Sequence, residues 1–141
     1  MKMRSAILAE AHSWLKTPYH HQGRIKGVGV DCAMLLIEVY HRVGLLPDID
    51  PRPYPPDWHL HRDEERYLGW IKQYCREVQT PQPGDVALFQ FGRCISHGAI
   101  VVQWPEIIHS YLTDGCILAD AEQGHMRGRV RSFYSILPEG E

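Results

Sequence analysis

Three side chains in this sequence could together break an amide bond: Cys32, His97 and His109. Cys32 follows Asp31, a good helix N-cap, so its sulfur is predicted in the first turn of a helix. There the partial positive charge of the backbone amides favours a thiolate, and a backbone N–H could stabilise an oxyanion. A lone cysteine on such a helix is more often an inert buried thiol. The combination with two histidines is what predicts a cysteine-nucleophile amide hydrolase.

The two histidines place a condition on the strands that carry them. His97 opens one predicted strand and His109 lies in the next, across a turn around Trp104-Pro105. Two imidazoles on one face would give a base and a second ring that orients its tautomer. Because side chains alternate along a strand, a strict two-residue loop would place the rings on opposite faces. We therefore predict an odd-length connection, such as Gln103 to Pro105, or a β-bulge.

The elements that position these residues are helices first and strands last. Apolar residues at helical spacing predict helices over 3–16, 32–43 and 63–78. Short β-rich runs split by turn residues predict strands over 85–91, 97–103, 106–112, 116–121 and 129–136. The proline-rich segment 47–57 is predicted to be extended, as either a stiff connection or a lid over a groove. The order predicts one α+β domain over residues 1–141, with N-terminal helices packed on an antiparallel β-meander.

Composition excludes several classes of protein. The 141 residues suit one domain, and 15 Lys plus Arg against 17 Asp plus Glu give no basic field that would gather nucleic acid. No apolar stretch approaches the roughly 20 residues that cross a bilayer. The first ten residues lack the pattern of a signal peptide, so we expect synthesis in the cytoplasm, with any export by another route. The four cysteines are expected to be free thiols.

As a set, the motifs resemble the NlpC-like cell-wall peptidases, papain-like cysteine hydrolases of bacterial peptidoglycan. The resemblance runs over most of the chain and rests on four features in the family's order: Thr17-Pro18-Tyr19 before a glycine-containing loop, Gly29-Val30-Asp31-Cys32 entering a helix, Pro83-Gly84-Asp85-Val86 entering a strand, and His97 followed by His109. It implies a papain-like NlpC-type fold, with Cys32 as nucleophile, His97 as base and His109 as the polar third member. It also implies that Tyr19 lies near the oxyanion or the substrate.

The resemblance further implies the substrate and the setting. The expected reaction is cleavage of an amide in the peptidoglycan stem peptide, between D-glutamate and a diamino acid, with no metal or organic cofactor. The chain looks most like the single-domain members associated with phage or prophage tails. The expected partners are therefore the peptidoglycan peptide and phage tail proteins, and neither nucleic acid nor membrane.

Two departures from the family pattern support an alternative in which the chain is catalytically inactive. Ala33-Met34 follow the nucleophile where Ser-Gly is common, and Gly98-Ala99 follow the candidate base where Val-Gly is commoner. A catalytically silent phage-tail or cell-wall binding module of the same fold is therefore one alternative.

A zinc site is the second alternative. Cys94 and His97 have ligand-like spacing, and His109 or Cys116 could complete a tetrahedral set. The absence of a second close pair of ligands weakens this reading.

Overall fold

The computed structural model describes residues 2–50, 66–92 and 94–141. Three helices, α1 (Lys2–His12), α2 (Cys32–Arg42) and α3 (Arg66–Tyr74), precede most of the strands, and a small hairpin of β1 (Arg24–Ile25) and β2 (Gly29–Val30) joins the first two helices. Six further strands follow: β3 (Arg76–Val78), β4 (Val86–Phe91), β5 (Cys94–Gln103), β6 (Glu106–Tyr111), β7 (Gly115–Asp120) and β8 (Val130–Ser135). Most of the predicted proline-rich segment, and the start of the third predicted helix at 63–65, lie outside the described residues.

The six later strands form one antiparallel sheet in the order β3-β8-β4-β5-β6-β7. Strands β4, β5 and β6 each pair with the next strand in the chain, which confirms the predicted meander. Strand β8 then returns to pair with β4, and β3 pairs with β8 at the sheet edge. The α+β class is confirmed.

Helix α2 is the central element of the core. All residues from Cys32 to Tyr40 are buried, because the helix packs against β5 and β6 and also contacts α1. Asp31 caps it, as predicted: its Oδ1 accepts a hydrogen bond from the Met34 amide at 2.9 Å. The cap and the all-round burial fix the first turn of α2, and with it the position of Cys32.

A buried ion pair ties the N-terminal helix to the start of β4. Arg4 donates to Asp85 Oδ1 at 2.9 Å and to the Pro83 carbonyl at 2.8 Å. Asp85 also accepts from the Gln82 amide at 2.8 Å. The intervening Gly84 has φ +92°, a conformation that glycine adopts without strain. The Pro-Gly-Asp motif is therefore a turn locked by Arg4.

Two predicted helices end earlier in the structure than in the sequence pattern. Helix α1 ends at His12 rather than near residue 16, and residues 13–16 form turns. Residues 76–78, which the apolar spacing assigned to the third helix, instead form β3. Their backbone pairs with β8, where Arg76 lies opposite Ser135, and this non-local ladder overrides the local pattern.

Candidate active site

Cys32 occupies the first residue of α2 and is only 9% exposed. Its sulfur lies 3.9 Å from the Ser96 carbonyl oxygen on β5. The thiol therefore sits at the positive end of the helix and against the strand that carries His97.

Tyr19 lies next to the segment that leads to Cys32, where it forms a parallel β-bridge with Val30. Its neighbours bond to that segment, since Val30 N–H donates to the Pro18 carbonyl at 3.0 Å and His20 N–H donates to the Val30 carbonyl at 3.3 Å. Burial raises the pKa of the Tyr19 phenol well above its usual range, and the charges of Cys32 and Asp31 add to this effect. Tyr19 is thus a protonated hydrogen-bond donor within electrostatic reach of the thiol.

Close backbone contacts hold this segment against the sheet. Cys116 N–H donates to the Thr17 carbonyl at 2.8 Å, where Gly115 passes so closely that an added Cβ would lie 2.8 Å from that oxygen. The buried Ser110 hydroxyl donates to the Val30 carbonyl at 2.6 Å. The chain leading to Cys32 is therefore fixed to β6 and β7, next to His109.

A β-bulge in β5 brings His97 and His109 to one face. Gln103 lies opposite Glu106, so the loop between the strands has only two residues. Further along, Val101 lies opposite Ile107, which leaves Val102 as an extra residue on β5. This shift of one residue reverses the alternation, and the predicted bulge is confirmed.

The two imidazoles are directly hydrogen bonded. His97 Nε2 and His109 Nδ1 are 2.8 Å apart, and the rings meet edge to face. The geometric condition set by the sequence is therefore met, while the catalytic roles of the two histidines stay predictions.

A second bulge lies immediately before His97. His97 pairs with Phe89 and Ile95 with Gln90, so Ser96 is the extra residue on β5. Bulges next to active sites commonly re-aim a side chain. Here the bulged Ser96 presents its carbonyl to Cys32, and the next residue presents its imidazole to His109.

The histidine pair is enclosed by aromatic rings. Phe89, Phe91 and Tyr111 lie with their ring centroids 5.8, 5.5 and 5.9 Å from that of His97. Burial lowers the pKa of His97 well below its usual range, and the neighbouring His109 lowers it further. Burial also lowers the pKa of His109 from 6.5 to about 4, against the opposing charge of Asp114. Both rings are therefore neutral at pH 7.

A neutral pair limits which nitrogen can act as a base. In one arrangement His97 donates from Nε2, which leaves its Nδ1 with a lone pair and places the His109 proton on Nε2. In the reverse arrangement His97 accepts at Nε2 and carries its proton on Nδ1. Only the first arrangement leaves His97 able to accept a proton from a thiol.

A cleft of about 210 Å³ adjoins His109. His109, Tyr111, Asp114, Asp120 and His125 line it, and His125 stacks on Tyr111 with centroids 5.1 Å apart. Sequence reasoning missed these neighbours. Alternation along β6 could have found Tyr111, two residues beyond His109, whereas Asp114 and His125 arrive through turns that carry no local signal.

The zinc alternative gains no support from the described residues. In 2–50, 66–92 and 94–141, no three histidine, cysteine or acidic side chains lie together as metal ligands. The alternative depends on the Cys94 thiol, which lies outside what the structure describes. Over the same ranges, no helix has the length and apolar character needed to span a membrane.

The comparison that decides the family is a match to a family model. The model of the NlpC/P60 family covers residues 16–134, most of the chain. The chain belongs to the NlpC/P60 family. No curated protein sequence shows a significant match to this NlpC/P60 domain.

Solved NlpC/P60 structures share the fold at low sequence identity. An NlpC/P60 family protein from Bacillus cereus superposes with a TM-score of 0.69 at 18% identity, over 96% of this chain and 40% of that protein. The NlpC/P60 domain of the peptidoglycan hydrolase SagA gives 0.62 at 19% identity, over 94% and 97%. RipD from Mycobacterium tuberculosis, described as a non-catalytic NlpC/P60 protein adapted to peptidoglycan binding, gives 0.61 at 13%, over 96% and 97%. The chain thus spans less than half of the Bacillus cereus protein and nearly all of the SagA domain.

Proposed function

We propose that this NlpC/P60 domain is a cysteine endopeptidase that hydrolyses an amide bond in peptidoglycan stem peptides. The observation that carries the proposal is the hydrogen bond between His97 and His109, because His97 directly follows the bulged Ser96 whose carbonyl contacts Cys32. A bonded pair of neutral rings beside a helix N-terminal thiol is the arrangement that nucleophilic catalysis needs.

The reaction starts with transfer of the Cys32 thiol proton to Nδ1 of His97 as the sulfur attacks the peptide carbonyl carbon. The resulting oxyanion is held by the Cys32 N–H and by the protonated Tyr19 hydroxyl. Collapse breaks the C–N bond, and the amine leaves with the proton that His97 took up. Water, deprotonated by His97, then hydrolyses the thioester and restores the thiol.

Burial of the histidine pair shapes the timing of these steps. Because the pKa of His97 is lowered, an isolated imidazolium is disfavoured in this site. The charged ring becomes favourable once a thiolate or an oxyanion faces it. Proton uptake by His97 is therefore coupled to the appearance of negative charge on the sulfur or the carbonyl oxygen.

The substrate class is supported by family membership and by the neighbouring fold of SagA, described as a peptidoglycan hydrolase. Within that class, we propose cleavage between D-glutamate and a diamino acid, which rests on the resemblance of the motifs.

The test is digestion of purified peptidoglycan and its stem peptides by wild type, Cys32→Ala and Cys75→Ala, with products identified by mass spectrometry. Cys75 is the matched control because its thiol is partly buried between α3 and β3, packed against the core, with its pKa raised to about 12. We expect wild type and Cys75→Ala to cut the same bond and Cys32→Ala to cut none. Equal cleavage by Cys32→Ala would refute the mechanism.

A silent peptidoglycan-binding module is the second candidate, favoured by the fold it shares with the non-catalytic RipD. The two residues after the nucleophile that depart from the family pattern are buried in the core cluster, Ala33 at 2% and Met34 at 0% exposure. Sedimentation of the protein with peptidoglycan, without cleavage and without reaction of Cys32 with iodoacetamide, would support this candidate over the peptidase.

Delivery to the wall is a separate proposal. We propose synthesis in the cytoplasm and incorporation into a phage or phage-like tail, on the resemblance to single-domain members alone. Mass spectrometry of purified tail particles from the source cells should detect this chain, and its consistent absence would refute this assignment.

A further inference from the structure

The cleft beyond His109 bears on the proton that the mechanism needs. For His97 to keep a lone pair on Nδ1, His109 must accept at Nδ1 and carry its own proton on Nε2. In the described part of the chain, no protein atom is hydrogen bonded to Nε2 of His109, although the side chain is only 2% exposed and lines the cleft. Whatever charge lies in this cleft therefore biases where the His109 proton sits.

Asp114 is the carboxylate placed to supply that bias. It lies in the turn between β6 and β7, where its amide donates to the Tyr111 carbonyl at 3.1 Å, and its side chain lines the cleft together with His109. Its charge also raises the pKa of His109, opposite to the effect of burial. Because Nδ1 of His109 is bonded to His97, Nε2 is the nitrogen left to interact with the cleft. A carboxylate in the cleft favours a proton on that nitrogen.

We propose that Asp114 is a positioning residue that holds the His109 proton on Nε2 through the cleft, and so leaves Nδ1 of His97 free to act as the base. This inference rests on the proposed function for its catalytic meaning. The tautomer itself is a property of the free protein.

The other charged groups around the pair do not take this role. Asp120 lines the same cleft, but its Oδ1 accepts from the Glu122 amide at 2.8 Å and so stabilises a turn. The Arg129 guanidinium stacks over Phe91 at 4.3 Å and donates to the His125 carbonyl. His125 stacks on Tyr111 with ring centroids 5.1 Å apart, so its ring is engaged by that aromatic contact.

The test is nitrogen NMR of the histidine rings in uniformly labelled protein, with the His109 signals among the nine histidines assigned by their loss in His109→Asn. We expect wild type to show the Nε2–H tautomer of His109. Asp114→Asn should shift the population towards Nδ1–H and lower the pKa of His109 further. Asp114→Glu should restore the wild-type spectrum.

Asp120→Asn is the matched control, because it removes the same charge from the same cleft. Indistinguishable His109 tautomers in wild type and Asp114→Asn, or an equal shift in Asp120→Asn, would overturn the proposal. Peptide hydrolysis by Asp114→Asn should fall by about tenfold, the lower end for losing a group that orients a functional histidine, with a shifted acidic limb in the pH profile. If Asp114→Asn shifts the His109 tautomer but the wild-type protein cleaves no peptide, the proposed function is refuted and the positioning role of Asp114 stands.

Discussion

Two buried polar pairs in this molecule are built in opposite ways. Arg4 and Asp85 form an ion pair, and both partners make further bonds, Arg4 to the Pro83 and Glu141 carbonyls and Asp85 to the Gln82 amide. His97 and His109 share one hydrogen bond, aromatic rings pack against His97, and His109 lines the cleft with Asp114. Both members of the first pair have further hydrogen-bond partners, whereas the second pair is held neutral by burial.

The first pair is suited to stabilising the fold, and the second is suited to catalysis. A buried ion pair with many partners cannot lose one member without leaving an uncompensated charge. A neutral pair can pass a proton along its hydrogen bond, since one nitrogen donates and the other accepts. Damage to the first pair should therefore change stability, and damage to the second should change turnover.

The largest effect is expected from His97→Gln. Loss of the general base should lower kcat/KM by about a hundredfold to ten-thousandfold, while the free energy of unfolding changes little. Peptide hydrolysis assays and urea denaturation measure the two quantities. His41→Gln is the control, because the His41 ring bonds only to the Leu46 carbonyl among the described contacts, at 2.9 Å. A His97→Gln protein as active as this control would remove the contrast between the pairs.

Arg4→Met should act on stability instead. Leaving the Asp85 carboxylate buried without its partner should reduce the free energy of unfolding by about 3–5 kcal/mol. The double variant Arg4→Met/Asp85→Leu should recover most of that loss, because no buried charge remains. Urea denaturation follows the change, and kcat/KM per folded molecule should stay near wild type. A loss of turnover matching that of His97→Gln would contradict the assignment.

The neutral histidines should also make stability depend on pH. Their pKa values are lower in the folded chain than in the unfolded chain, so the unfolded state binds more protons as the pH falls below 6.5. Stability should therefore fall from about pH 6.5 towards pH 4, by up to about 1.4 kcal/mol per pH unit for each histidine. Urea denaturation at pH 7, 5.5 and 4.5 should show a shallower slope in His97→Gln/His109→Asn. Equal pH dependence of stability in wild type and in this double variant would mean that the histidine pair is charged or solvated.

Ser110→Ala should have the smallest effect. It removes the buried hydroxyl that ties β6 to Val30 and should cost about 1 kcal/mol of stability. Because the bonded carbonyl lies two residues before Cys32, a modest fall in kcat/KM should accompany it. Thermal unfolding and the hydrolysis assay test both parts, and a drop in turnover as large as that of His97→Gln would show that this contact belongs with the histidine pair.

Local sequence signals predicted the elements that depend on local physics. Asp31 as a cap, the apolar run of α2 and the meander strands all follow from short-range patterns, and the alternation rule required either a bulge or a longer loop between the histidines. The strand β3 and the hairpin of β1 and β2 were not predicted. Each has only two or three residues, and pairing with a distant or facing segment defines it. The cleft around Asp114 escaped prediction for the same reason, because turns bring its walls together.

Because Val102 is an extra residue on β5, the number of residues in the β5–β6 hairpin matters as much as their types. Removing that single residue would leave both histidines in the chain and send one ring to the other side of the sheet. A histidine pair copied into another scaffold would therefore work only if the whole hairpin, including its irregularity, were transplanted. For comparing chains of this fold, an insertion or deletion between the two histidines is a stronger warning of lost activity than most substitutions there.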